Sequence, residues 1–417
     1  MLSNETLNSQ LDKWVSYGTI EKSCADEIKA VIKNQKQWLD LSDKYFVLIG
    51  ATSAMGPLDM LLKYGANIIA LDIDRENVWK TLINKVRASS GTMYFPIKKA
   101  EAKGKKQEDM SDEELYKCSG ANILEQAPEL CSWIQTVRPD KEFTVGNYTY
   151  LDGELHVRLS IAADSIIETL CRTRKTTKIA FLCTPTDIHV IPQEANEAAK
   201  KNAANSPLYQ KIVSALPGPM LASNAEKPVK TEKGSDIYFV DGLSVAQGPN
   251  YALAKRMQHW RAILACRAGH TVSSNIAPST ATKSVVSAAM FAAAYGGFHL
   301  FKPLEVMYQE TSNAVMFALL VHDVVNSKAK ANPANGKLEN PYQLFEFGSF
   351  HGGVWRCGYK LDSIGEVAVI SYFAGKFWLQ AFAGLGVLTA VGAAVVTGQP
   401  NMLMGFSEFS KFLMTKI

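Results

Sequence analysis

The sequence predicts an α/β protein built on a doubly wound parallel sheet, and three observations carry that expectation. Short apolar runs with β-branched members recur at 45–49, 68–71, 143–145, 178–183 and 237–240, as strands buried on both faces require. Stretches of helical periodicity separate them at 58–64, 76–88 and 157–171. Glycine-containing turns stand at the run ends, with Gly50 and Gly56 after the first run and Gly65 before the second.

The elements follow in order. Residues 1–44 read as a helical N-terminal cap of two amphipathic helices, marked by Leu11, Trp14 and Val15 and then by Ile28, Val31 and Ile32. The sheet domain is expected over 45–330. Its alternation is interrupted by an insertion at 89–142, placed between strands 2 and 3. Within the insertion, 98–114 is dense in Lys and Glu and reads as an exposed, mobile segment, while 123–137 reads as another amphipathic helix. A strand over 178–183 ends on Thr184-Pro185-Thr186-Asp187. Helical pieces at 194–203 and 207–215 and a loose loop at 223–235 lead to the strand at 237–240. A long helix from Gly248 to about Arg267 follows, then a strand that breaks at Pro278. Residues 303–325 read as the last crossover helix, and 331–417 as a C-terminal extension.

Composition narrows the function. The chain has 417 residues, 47% hydrophobic and 20% charged, which is globular and ample for a core. A net charge of +4 gives no case for a nucleic-acid partner. Seven dispersed cysteines without a CxxC pair suggest reduced thiols inside a cell, and no spacing suggests a metal site. The first residues carry no secretory pattern, so an intracellular, non-secreted protein is expected. The stretch 377–396 is uncharged over 20 residues, long enough for a bilayer and rich in small residues. A membrane contact there competes with a buried apolar helix.

The chemistry is concentrated at 45–72. The first strand runs into Gly50-Ala51-Thr52-Ser53-Ala54-Met55-Gly56, a helix follows, and a second strand ends on Asp72, about 20 residues past the first glycine. Gly50 turns the backbone off the strand. The small residues that follow leave room for a pyrophosphate, and Gly56 allows close helix–strand packing. Asp72 could accept hydrogen bonds from a ribose diol and would repel a 2′-phosphate, which favours NAD over NADP, with Arg75 nearby opposing. An S-adenosylmethionine-dependent transferase places an acid in the same way and is the nearest rival.

Later segments extend the pattern. Tyr251 and Lys255 stand four apart at the start of the long helix, and Asn275-Ile276-Ala277-Pro278 precedes Thr280 and Thr282. Together with the glycine turn, these pieces resemble a divergent short-chain dehydrogenase/reductase of Rossmann type, from about residue 44 to 330. The resemblance implies an NAD(P)H-dependent oxidoreductase acting on a carbonyl or alcohol. Tyr251 would be its general acid or base, with Lys255 lowering the tyrosine's pKa and holding the nicotinamide ribose. A hydroxyl from the preceding strand end, Ser244, would polarise the carbonyl. The cofactor set comprises Gly50, Thr52, Ser53, Ala54, Met55, Gly56, Asp72, Asp152, Thr184, Pro278 and Thr280.

The chain departs from the family in places. Ala54 replaces the middle glycine, and Ser244 stands closer to Tyr251 than the family's catalytic serine does. Cys183-Thr184-Pro185-Thr186 replaces the asparagine-rich segment after the fourth strand. A degenerate, nucleotide-binding scaffold subunit of a membrane complex is therefore the alternative. A homo-oligomer and an apolar small-molecule substrate are expected. His189, His299 and His351 read as structural, Asp187 and His189 as candidates for the site's rim, and Phe350 to Arg356 as a loop packed around Trp355.

Overall fold

The computed structural model describes residues 4–336 and 338–375. The expectations for 377–396 and for the apolar patch after Pro400 lie outside the described residues. Nine strands are found among those described: β1 (Tyr45–Ile49), β2 (Asn67–Leu71), β3 (Thr92–Tyr94), β4 (Phe143–Asn147), β5 (Lys178–Cys183), β6 (Ile188–Ile191), β7 (Val229–Lys230), β8 (Asp236–Asp241) and β9 (Val272–Ile276). Six form a parallel sheet in the order β3-β2-β1-β4-β5-β9. The other three form an antiparallel sheet in the order β6-β8-β7.

The parallel sheet is buried on both faces because its strands alternate two apolar sets. Val47, Ile49, Ile69, Leu71, Phe143 and Val145 pack on the face covered by the helices Ile123–Thr136, Glu154–Thr173 and Gly248–Arg267. Phe46, Leu48, Ile68 and Ala70 point the other way, against the helices Leu58–Lys63, Glu76–Arg87 and Gln309–Val325. Each of these Val, Leu, Ile and Phe side chains, fully buried, contributes about 1.5–3 kcal/mol. The result is an α/β sheet flanked by helices, consistent with a Rossmann-like fold.

β1 is paired on one side with β2 and on the other with β4, in register Ile49↔Leu71 and Ile49↔Asn147. The chain therefore leaves β1 outward to β2 and β3 and returns to β4. In open sheets the crevice above such a reversal is where ligands bind.

Two expectations about the sheet are corrected. The third strand lies inside the stretch read as an insertion, at Thr92–Tyr94, so the long connection joins β3 to β4. Three residues at a sheet edge, none fully buried, show no strand periodicity of their own. The run at 237–240 is not a strand of the parallel sheet; it pairs antiparallel with β6 and β7. β5 sits directly beside β9, with Cys183 opposite Ile276.

The Lys/Glu-rich stretch is exposed but folded. A capping box between Ser111 and Glu114 starts the helix Asp112–Cys118, and Lys105 and Arg87 pair with Glu114 and Asp112 at 2.5 Å each. The first two helices, Asn4–Tyr17 and Lys22–Lys33, pack Leu11, Cys24 and Ile28 against Val315, Met316 and Leu319 of the helix Gln309–Val325. Glu21 ties them to the 350–356 loop by accepting two bonds from Arg356, at 2.7 and 2.6 Å, and one from His351 at 3.1 Å. Those donors hold its carboxyl down at about 2 against the cost of burial. Trp355 in that loop is fully buried. Among the described residues no helix is long and apolar enough to cross a membrane.

Candidate functional site

The site residues gather at the C-terminal ends of the parallel strands. Gly50 has φ +80°, and a Cβ there would come within 3.1 Å of the Thr149 backbone. Only glycine serves both demands. The turn is laced to β2: Gly50 and Ala51 donate to the Leu71 carbonyl at 2.9 and 3.2 Å, and Gly56 closes it by donating to Ser53 at 2.9 Å. Thr52 and Ala54 are exposed at its tip, with Ser53, Met55 and Gly56 half-buried. Gln309 and Asn313 donate to the Ala54 carbonyl at 3.0 and 2.9 Å, which joins the turn to the last crossover helix.

Asp72 is only 8% exposed, and its carboxylate holds the turn from the next strand. One oxygen accepts from the Thr52 amide at 2.8 Å and the Thr52 hydroxyl at 2.7 Å; the other accepts from the Ile73 amide at 2.8 Å. A carboxylate has about four acceptor positions, so it retains room for a further donor. At the end of β4, Asn147 accepts from the Thr149 hydroxyl at 2.8 Å. Gly146 is required there because a Cβ would strike the Tyr148 ring at 2.3 Å. Met55, Pro57, Tyr148, Leu182, Asn275 and Asn313 line a cavity with space for about one water beneath the turn.

The end of β5 carries the polar centre. The Thr184 hydroxyl lies 2.6 Å from that of Thr186, and it is close enough to the phenol of Tyr251 to favour its ionisation. Tyr251 opens the helix Gly248–Arg267 and stacks on His156, with ring centroids 5.8 Å apart. Burial raises the Tyr251 pKa, Asp187 and Cys183 add to the rise, and the nearby Thr184 hydroxyl opposes it. Lys255, one turn on, donates to the Leu182 carbonyl at 3.1 Å, and its ammonium lies 5.8 Å from the Tyr251 ring centroid. Burial lowers its pKa, against the pull of Cys183 and Asp187.

Behind this pair lies a buried group of ionisable side chains. Asp187 accepts from Arg256 and from the Ile188 amide. Its second oxygen is 3.5 Å from His259 Nδ1. His189 Nε2 donates to the Thr184 carbonyl at 2.8 Å, because a carbonyl can only accept, which leaves Nδ1 as a bare acceptor. Burial lowers the His189 pKa to about 4 and drives that of His259 well down. It also raises Asp187, with Arg256 opposing.

The remaining residues are arranged as follows. Pro278 is buried after β9, and the Thr280 hydroxyl donates to its carbonyl at 2.8 Å and meets Ser312 at 2.7 Å. Asp152 is exposed and accepts from the Tyr150 hydroxyl at 2.9 Å. Ser244 is half-buried after β8, in a turn that crosses the 184–187 loop; Gly242 there donates to the Asp187 carbonyl at 3.1 Å. The structure thus brings Thr184, Tyr251 and Lys255 together, and keeps Gly50, Thr52 and Asp72 together two to three strands away.

No family model matches the chain, and no curated protein matches it.

One group of described residues has the make-up of a metal site: Glu27, His322 and Asp323, with donor atoms within 4.8 Å of one another. Its hydrogen bonds assign it a proton instead. The Asn326 amide donates to His322 Nε2 at 3.0 Å while its oxygen accepts from Lys328 at 3.0 Å. That leaves the imidazole proton on Nδ1, 3.2 Å from Asp323. Two members of the polar centre escape the sequence reading. His259 continues the Tyr251, Lys255 face at the next four-residue step, a signal helical spacing carries. His156 comes from another helix, and no local pattern points to it.

Proposed function

We propose that this protein is an NAD(H)-dependent oxidoreductase that reduces a carbonyl to an alcohol. The observation that carries the reading is the placement of Tyr251 and Lys255 one helical turn apart beside the Thr184 end of β5, at the strand ends of a sheet whose first turn and Asp72 suit a dinucleotide. Burial keeps the Tyr251 phenol protonated at neutral pH, which suits an acid delivering its proton to a carbonyl oxygen. The Thr184 hydroxyl, already turned toward the phenol, would share that oxygen and polarise the carbonyl. Lys255 places a cation close by, favouring negative charge as it develops on the substrate oxygen and then on Tyr251. The bound nicotinamide would supply the hydride. The charge of Asp72 disfavours a 2′-phosphate, so NADH is preferred over NADPH.

Calorimetric titration with NADH, NADPH and S-adenosylmethionine in parallel tests the reading. NADH is expected to bind tightest, and Tyr251→Phe is expected to keep that binding while cutting turnover by about 10²–10⁴-fold. Binding of S-adenosylmethionine alone would move the protein to group transfer. Nucleotide binding with no turnover of any carbonyl or alcohol in the unaltered protein would mark it as a scaffold.

A further inference from the structure

Where the first two helices meet the sheet domain, a buried side-chain cluster is one hydrogen short. Asp323, on the helix Gln309–Val325, is satisfied as an anion. One of its oxygens accepts from Ser273 and Asn275 at 2.7 and 2.8 Å, and the other from His322 at 3.2 Å. Glu27, on the helix Lys22–Lys33, faces it across the interface. Its Oε2 is buried, has no hydrogen-bond partner and lies 4.0 Å from His322 Nδ1. One nitrogen or oxygen from each of Glu27, His322 and Asp323 falls within 4.8 Å of the others. Glu27 Oε2 and Asn275 Oδ1 also converge on Gly348, where a Cβ would come within 2.3 Å of the first and 2.6 Å of the second. The Asn275 nitrogen is spent on Asp323 and Ser273, so its oxygen can only accept. An ionised Glu27 would set a second anion beside Asp323 and a second acceptor beside Asn275, with no donor for either.

We propose that Glu27 is carried as a neutral acid and acts as a pH-sensitive latch: the first two helices dock on the sheet domain while it keeps its proton and loosen as the pH rises. Its surroundings agree. Burial, and then Asp323, raise the Glu27 pKa well above its ordinary 4.5; Lys330 opposes the rise and Asp26 on its own helix adds to it. Lys330 sits over the Phe347 ring at 3.8 Å, and Asp26 is paired with Lys22 at 2.5 Å. The Cys24 thiol on the same helix is kept neutral by burial. The other tie of these helices, Glu21 to Arg356, works the opposite way, since its carboxyl is held down at about 2 and weakens only in acid. Docking bears on the glycine turn, because the helix that Glu27 meets also grips the Ala54 carbonyl through Gln309 and Asn313. The latch does not depend on the oxidoreductase reading, since docking needs no cofactor.

The test is hydrogen exchange over residues 4–33 of the full chain, read as protection factors at pH 5 and pH 8 and compared with Glu27→Gln. The free acid ionises at 4.5 and the docked one higher, so docking weakens between those values by up to about tenfold per pH unit. Glutamine copies the neutral acid and removes that slope. Protection in Glu27→Gln relative to the unaltered chain is expected to rise about tenfold or more from pH 5 to pH 8. A ratio that stays constant overturns the proposal. Glu21→Gln, which cuts the other tie, is expected to lower protection at both pH values and to leave the fall toward pH 8 in place. Loss of that fall in Glu21→Gln would put the titrating group at Glu21 and overturn the proposal. Added Zn²⁺ that restores protection at pH 8 overturns it as well, since Glu27, His322 and Asp323 would then be metal ligands.

Discussion

Between residues 45 and 147, which hold β1 to β4, every buried side-chain polar atom has a hydrogen-bond partner. Around β5 and the helix Gly248–Arg267, His156, Asp187, His189, Gln258 and His259 each hold buried atoms with none. The first region spends its polar groups on itself: Asp72 clamps Thr52, and Asn147 clamps Thr149. The second concentrates ionisable groups that burial holds away from their ordinary pKa values. An unsatisfied buried group costs about 1–3 kcal/mol, so a fold keeps a cluster of them where something other than stability is gained. The β1–β2 end satisfies its polar groups by packing; the Tyr251 end holds buried polar atoms that packing leaves without partners.

Acid should separate the two regions by the widest margin. His189 protonates near 6.5 when unfolded but only at about 4 when folded. Below pH 6.5 the unfolded state therefore binds more protons, and stability falls as pH drops from 6.5 toward 4, then levels. His189 alone contributes at most about 3 kcal/mol to that loss, and His156, also lowered to about 4 by burial, adds to it. Hydrogen exchange at pH 5 is expected to show β5 and β9 opening before β1 and β2. Uniform opening across the sheet would erase the contrast.

Thr184→Val sharpens the comparison within the chemical end. It keeps the side chain's shape and removes the hydroxyl that meets Tyr251. Turnover is expected to fall about 10²-fold with NADH affinity unchanged, a loss of about 2.7 kcal/mol confined to kcat. An equal fall in NADH affinity would reassign Thr184 to holding cofactor.

Gly50→Ala tests the packing end. Positive φ and the Thr149 backbone both resist a Cβ, so a loss of about 1–3 kcal/mol in denaturant unfolding is expected. A variant as stable as the parent would show that the turn is looser than its hydrogen bonds imply.

These contrasts explain what the sequence made legible. The runs at 45–49, 68–71, 143–145 and 178–183 were readable because strands buried on both faces must be continuously apolar, and Gly50 because a left-handed turn admits little else. β3 was not, since an edge strand of three half-exposed residues carries no period. The run at 237–240 was readable as a strand but not as a member of another sheet, because pairing partners are set by long-range contacts. Tyr251 and Lys255 were visible as a helical spacing. Their companions come from two other segments that only the folded chain assembles, Thr184 and Asp187 from the loop after β5 and His156 from the helix Glu154–Thr173.

Ser244 supplies the smallest expected effect and the most direct test of how the site is assigned. Sequence order made it the strand-end hydroxyl that precedes Tyr251, because 237–240 was read as the neighbouring strand of the sheet. In the structure the strand adjoining β9 is β5, and the hydroxyl at its end is Thr184. Ser244 follows a strand of the antiparallel sheet, and its carbonyl accepts from Gln247 at 3.2 Å in a surface turn. Ser244→Ala should therefore leave stability within about 0.5 kcal/mol and turnover within about twofold, measured beside Thr184→Val under one set of conditions. If Ser244→Ala instead matched the loss in Thr184→Val, the 242–247 turn would have to swing over the 184–187 loop on binding substrate, and both hydroxyls would belong to the reacting site.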